Sequence, residues 1–429
     1  MHHIFAGAQK VIDELKTRRN GITKLVLNHN VLQDEGTAHL FCYLTSDAGA
    51  KHRASLTEIC LNRNEIGSQG LYAVVEFLRD NIALKTLYLA NNRLSSDGVL
   101  AGALAEAVSS SRLQLLSLSG NNALGNGFIA EFLGNLRSQY LVDLEMNTAG
   151  CTSDIAQPIA EWLVGDPDER GIPQRKCSVQ TFKCSGNNLG ARGVWEIKQA
   201  IERGNWSLMH LEVHANQLPG PPPLDDVDEE PWGPETMERL KALEQEIALL
   251  LRRNEYWKKQ IEEQALVLLR YSRLLLLQSA KSIKARSGEV SQVQSRSQPI
   301  RNNFAFFALP LELQQYILSF FAPMLSSAQC ARIYNYAAKP STLPPLLVSP
   351  KKAASRGCLL DPSSFYGSTI GFEVVSAATG ATRCAEGQCM GAAHSLSCRR
   401  EEDRGRYLEA VDCRVFEPEP KRMPSNSPN

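Results

Sequence analysis

Seven copies of one pattern, LxxLxLxxNxL, constrain this 429-residue chain more than anything else in it. Ile22, Leu25, Leu27, Asn30 and Leu32 fill the first copy, and Leu56, Ile59, Leu61, Asn64 and Ile66 the second. Leu84, Leu87, Leu89, Asn92 and Leu94 make the third. In the fourth, Leu113, Leu116, Leu118 and Asn121, the closing leucine arrives one residue late. The fifth is degenerate: Leu141, Leu144 and Met146, with Ala149 where the asparagine belongs. Val179, Phe182, Cys184, Asn187 and Leu189 form the sixth, and Leu208, Leu211, Val213, Asn216 and Leu218 the seventh. Four of the six intervals between starts are 28 or 29 residues, and chance does not produce that regularity. The others are 34 and 38 residues, the second holding the polar insertion DPDERGIPQRK.

The LxL core alternates with period two, which makes it a short strand with both leucines on one face. The asparagine carries an amide able to bond backbone where the strand turns away. The rest of each repeat reads as an amphipathic helix; in SQGLYAVVEFLRDN, Leu71, Val74, Val75 and Leu78 fall on one side. A single such unit cannot bury its apolar face, but stacked neighbours can. Residues 8–19 read as a helix covering the first repeat, within a cap at 1–20. This period with a full helix per repeat resembles the ribonuclease-inhibitor subfamily of leucine-rich repeats, over residues 21–218. The resemblance implies an α/β solenoid, a horseshoe of about seven repeats with a parallel sheet on its concave side.

The residues between the strand leucines then face the concave side, where solenoids commonly bind proteins. Val26, Cys60, Tyr88, Ser117, Glu145, Lys183 and Glu212 form one row, with Asn28, Asn62, Ala90, Ser119, Asn147, Ser185 and His214 beside it. With Arg63 and Asn91 beside them, the partner-binding candidates are Val26, Asn28, Cys60, Asn62, Arg63, Tyr88, Asn91, Ser117, Glu145, Lys183, Glu212 and His214. A solvated face with no ligand is the other reading. The stretch LYLANNRL, with Asn91 and Asn92, also resembles the asparagine-bearing repeat of Ran GTPase-activating proteins. That resemblance implies a regulator of a small GTPase, with Asn91 or Asn92 ordering the machinery and Arg63 adding positive charge near the nucleotide, because phosphoryl transfer is mostly positioning and charge stabilisation.

Residues 219–234 are rich in Pro and acid and read as a linker. From 235 to 285 a heptad frame fits. Leu240, Ile247, Asn254, Ile261, Leu268 and Leu275 take one core position, and Leu243, Leu250, Trp257, Gln264, Tyr271 and Gln278 the other. A buried asparagine such as Asn254 fixes register in a dimeric coiled coil, so a homodimer through this helix is one reading. Packing back on its own chain is the other. After a polar linker at 286–303, residues 304–340 contain Leu309, Pro310, Leu313 and Ile317 in LPLELQQYILSFF. These resemble the opening of an F-box, which implies docking on a Skp-type adaptor of a cullin ubiquitin ligase. An amphipathic helix that only packs is the competing reading.

The C-terminal region, 341–416, holds Cys384, Cys389, Cys398 and Cys413, with gaps of four, eight and fourteen residues. Four thiolates suit a tetrahedral structural zinc site, and one or two disulfides or plain free thiols are the alternatives. Residues 417–429 read as a disordered tail. No phosphate-binding glycine loop, zinc-protease helix motif or nucleophile elbow occurs, so the chain reads as non-enzymatic. A formal net charge of zero supplies no global field for nucleic acid or anionic membrane. The most apolar run, 266–277, contains two arginines and falls short of the ~20 apolar residues a spanning helix needs. The expected setting is the cytoplasm or the nucleus, where scattered thiols such as Cys42, Cys60, Cys151, Cys177 and Cys184 stay reduced.

Overall fold

The structure is a computed structural model, and it describes residues 2–165, 177–216, 234–286, 306, 309–343 and 399–418. It divides into two compact units, 1–257 and 258–419.

The first unit is the expected α/β solenoid. Its strands are β1 (Lys24–Val26), β2 (Glu58–Cys60), β3 (Thr86–Tyr88), β4 (Leu115–Ser117), β5 (Asp143–Glu145), β6 (Thr181–Lys183) and β7 (His210–Glu212). They form one parallel sheet in sequence order. The register puts each central residue beside the next: Leu25, Ile59, Leu87, Leu116, Leu144, Phe182 and Leu211. All seven are buried, because the period of two turns that side chain inward. Helix α1 (His2–Thr17) precedes β1, and between the strands lie α2 (Gln33–Thr45), α3 (Ala50–Arg53), α4 (Ser68–Leu78), α5 (Gly98–Ser110), α6 (Gly125–Asn135), α7 (Ala156–Val164) and α8 (Gly190–Arg203). On α4 the predicted face, Leu71, Val74, Val75 and Leu78, is buried. Each fully buried leucine contributes about 1.5–3 kcal/mol, and the strand and helix rows form one continuous core. Ala8, Ile12 and Leu15 of α1 close its N-terminal end.

The repeat asparagine works as the sequence suggests. Asn92 accepts the amides of Asn64 (2.9 Å) and Ile66 (3.2 Å) from the repeat before, and donates to the carbonyls of Leu61 and Leu89. Asn64, Asn121, Asn187 and Asn216 repeat the arrangement, so asparagine side chains satisfy backbone amides at the exits of β1, β2, β3, β5 and β6. Ala149 interrupts the ladder, and the late leucine of the fourth repeat coincides with it. The amide of Gly125, one residue beyond Leu124, bonds the carbonyl of Ala149 itself. The insertion at 166–176 lies outside the described residues.

Helix α9 (Pro234–Arg286) begins in the first unit. There Leu243, Ile247, Leu250 and Leu251 pack on the solenoid core. Asn254 is buried and donates to the carbonyls of Asn205 (3.1 Å) and Leu208 (2.9 Å). Arg253 stacks over Trp206 at 4.0 Å and bonds the carbonyls of Ile201 and Asn205. Of the two readings of the heptad, intramolecular packing is therefore the one observed along this stretch: the seam is covered by the chain's own last repeat.

The second unit gathers the rest of α9 with α10 (Leu311–Ser319), α11 (Ser327–Ala337) and α12 (Arg399–Ala410). Pro310 precedes α10 with its ring-fixed φ of −50°, and Ser326 with Gln329 forms a capping box on α11. Ile261, Ala265, Leu268, Leu318, Leu325, Ile333, Tyr407 and Val411 make the core. Arg332 ties α11 to the chain after α12 through the carbonyl of Val411 and the carboxylate of Glu417.

Candidate functional site

The concave sheet face is built from every second strand residue. One row is Val26, Cys60, Tyr88, Ser117, Glu145, Lys183 and Glu212, as expected. The alternation also brings Lys24, Glu58, Thr86, Leu115, Asp143, Thr181 and His210 to the same face, two residues earlier on each strand. Sequence reasoning missed this row, although period two already contained the signal.

The candidates fare differently. Val26 is 58 % exposed and Tyr88 half-exposed. Cys60 and Ser117 are buried, Ser117 to 1 % exposure, so neither offers a surface to a partner. The register explains it: Ser117 lies between Tyr88 and Glu145, and Cys60 between Val26 and Tyr88, so short side chains are screened by long neighbours.

Asn28 and Asn62 have a second occupation. Asn28 accepts the amide of Asn62 at 3.0 Å, and Asn62 accepts the amide of Ala90 at 2.8 Å. Ala90 breaks this inner ladder. It resumes with Ser119 accepting from Asn147, Asn147 from Ser185, and Ser185 from His214. Structural bonding therefore consumes one acceptor on each of Asn28 and Asn62, while the imidazole of His214 stays largely exposed, 3.9 Å from Glu244.

The charged groups divide the face. Lys24 pairs with Glu58 at 2.7 Å at the N-terminal end. Toward the other end Lys183 pairs with Glu145 at 3.1 Å and lies 3.7 Å from Glu212, which also meets His210 at 2.9 Å. The Glu145 carboxylate holds the Lys183 ammonium above its ordinary pKa. His210, then Lys183, hold Glu212 below the usual carboxylate range. Asp143 pairs with no cation among the described residues. Burial raises the Tyr88 phenol, with Glu145 adding to the shift.

Arg63 and Asn91 occupy equivalent places in consecutive repeats, both exposed and both left-handed (φ 56° and 55°). Their amides bond Ala90 and Ser119 of the following repeat. Asn92, by contrast, is used up by the ladder.

Before α10, Leu309 is half-buried and Pro310 exposed, and within the helix Ile317 is half-buried. Leu313 is 48 % exposed, and Tyr316 and Phe320 are 63 % and 67 % exposed. Leu313, Tyr316 and Phe320 recur at helical spacing, so α10 turns an apolar face to solvent while Leu318 enters the core.

Of the proposed zinc ligands, Cys384, Cys389 and Cys398 lie outside the described residues. Cys413 is buried among Tyr407, Leu408 and Val411. Among the described residues no group of three or more His, Cys, Asp or Glu is arranged to hold a metal ion. Burial in the solenoid core pushes the Cys151 thiol up to about 12 and raises Cys184 too, the behaviour of small hydrophobes rather than reactive thiols. Among the described residues no helix is long and apolar enough to cross a membrane.

No protein-family model matches the chain. Over 204 residues, 45 % of this chain, it is 26 % identical to NACHT, LRR and PYD domains-containing protein 5 of Mus musculus. That stretch is 16 % of the mouse protein's length. Among solved structures it is similar to the tropomodulin C-terminal domain of Caenorhabditis elegans, at 12 % identity and a TM-score of 0.22, covering 58 % of this chain and 98 % of that one. It is also similar to the leucine-rich repeat-containing protein LegL7 of Legionella pneumophila, at 18 % identity and a TM-score of 0.27, covering 49 % of this chain and 71 % of that one.

Proposed function

We propose that the protein is a non-enzymatic interaction scaffold that holds a protein partner on the concave face of its solenoid, in the cytoplasm or nucleus, and presents it through α10 to a Skp-type adaptor. In that arrangement the solenoid selects the substrate of a cullin-type ubiquitin ligase. The observation that carries the reading is the solvent-facing apolar surface of Leu313, Tyr316 and Phe320, on the helix that the F-box resemblance assigns to adaptor binding. Contiguous exposed apolar side chains of that size mark interaction sites more often than ordinary surface. The test is co-purification of the full-length chain with a Skp-type adaptor, beside a Leu309→Ala/Pro310→Ala double variant. Adaptor recovered with the native chain and lost with the variant supports the reading. No adaptor with either leaves α10 a packing helix.

A GTPase-regulating role is the second reading, favoured by the exposure of Arg63 and Asn91 in adjacent, equivalent turns. It requires faster GTP hydrolysis by a small Ran-like GTPase, lost with Arg63→Ala or Asn91→Ala. Unchanged hydrolysis removes it.

A further inference from the structure

The concave face has an electrostatic direction. Its N-terminal end is apolar and balanced: Val26 is exposed, Tyr88 half-exposed, and Lys24 is matched by Glu58. From β5 to β7 the balance fails. Asp143, Glu145 and Glu212 stand against the one ammonium of Lys183, which Glu145 and Glu212 already share. His210 adds positive charge only when protonated, and Asp143 meets no cation among the described residues. A partner that settled here without positive charge would desolvate three carboxylates against a single ammonium, which is unfavourable.

The segment of this chain that follows β7 is unsuited to the role. Between Pro219 and Glu235 it carries six acidic residues and no basic one, so like charge opposes its docking on β5–β7.

We propose that the concave face binds an extended basic segment of another protein, with an apolar residue over Val26 and Tyr88 and Arg or Lys side chains over Asp143, Glu145 and Glu212. This rests on the reading that the concave face is the partner site, and it names the partner's chemistry. Neighbouring strands lie ~4.8 Å apart, so the path from Tyr88 on β3 to Glu212 on β7 is about 19 Å, the length of about six extended residues. Arginine suits Asp143 best, because a carboxylate without another partner accepts both arms of a guanidinium.

The experiment pans the full-length protein against a phage library of random peptides about a dozen residues long, enough to cross the sheet. Asp143→Lys and the milder Asp143→Asn serve as paired baits, with circular dichroism confirming that both fold. The expected result is enrichment of peptides carrying Arg or Lys beside an apolar residue. Binding of a selected peptide weakens about tenfold or more with Asp143→Lys, less with Asp143→Asn, and falls with added salt. Acidic or neutral peptides whose binding still depends on Tyr88 would overturn the basic-partner proposal and leave the concave site standing. Selected peptides indifferent to both Tyr88→Ala and Asp143→Lys would overturn both.

Discussion

The side-chain amide of Asn254 donates to the carbonyl oxygen of Leu208 at 2.9 Å, and through that bond the long helix closes the last repeat of the solenoid. The carbonyl belongs to the turn into β7, and the same amide also reaches Asn205. Arg253 still donates to Asn205, so Asn254→Leu leaves the Leu208 carbonyl without its side-chain donor, at a cost of about 1–3 kcal/mol. Urea unfolding should show a lower midpoint, with fraying that begins at the C-terminal repeats, since a solenoid's contacts run between neighbours. A coiled-coil register role predicts the opposite, because leucine at a buried asparagine strengthens association. A stable variant with a raised oligomeric state in sedimentation would sink the capping account.

Asp34 performs a similar service between the first two repeats. Helix α4 opens at Gly67, which has no side chain to cap it. Instead Oδ1 of Asp34 accepts the amides of Gly67 (2.7 Å) and Gly70 (2.8 Å). A Cβ at Gly70 would come within 2.8 Å of that oxygen, so the glycine admits the carboxylate. Asp34→Ala should cost about 1–2 kcal/mol, as loss of an N-cap does, and Asp34→Asn clearly less because it keeps the acceptor. Chemical denaturation of the two variants side by side checks this; equal losses would mean that charge, not the hydrogen bonds, matters.

How much of this was legible depends on whether a residue's partner repeats with it. The asparagine at the position of Asn92 recurs with the repeat, mostly at intervals of 28 or 29 residues, so both its place and its ladder role are readable. Asn28 and Asn62 belong to a ladder whose later rungs are Ala90, Ser119 and Ser185. No consensus marks such a ladder, and the two asparagines read as free surface. Lys24, Asp143 and His210 are hidden for a different reason: period two places them on the concave face, but the repeat consensus marks only the residue between the paired leucines. The heptad of α9 revealed which side is buried. It held no information on what covers that side, because Asn254 satisfies a coiled coil and a terminal cap equally well in sequence.

Thr148 stands where the chain turns left-handed before the ladder position of the fifth repeat, at φ 50°. The equivalent residues Gly120 and Gly186 take that conformation without strain. A β-branched residue there is an outlier, and such positions cost on the order of 1–3 kcal/mol. Its amide is needed all the same, since it bonds the carbonyl of Ser185. Thr148→Asn keeps that amide and tolerates the left-handed region, so it should stabilise the chain by about 1 kcal/mol in thermal unfolding. A lower melting temperature would show that the threonine side chain makes a packing contribution larger than its strain.

His52 gives the fold a dependence on pH at its N-terminal end. Fully buried, it joins the cap to the first repeat: Nε2 donates to the carbonyl of Leu15 at 3.1 Å, and Nδ1 accepts the amide of Ile22 at 3.3 Å. Only the neutral ring can do both. Burial lowers its pKa below the ordinary 6.5, and the nearby Lys51 and Arg18 add to the effect. The unfolded chain therefore takes up a proton near pH 6.5 that the folded chain refuses. Its contribution to stability is complete above that pH and is lost as the pH falls from there toward the folded value. Urea midpoints at about pH 7.5 and about pH 5.5 should drop for the native chain, and drop less for His52→Gln, which has no proton to gain. Equal drops in the two proteins would assign the acid sensitivity to other groups.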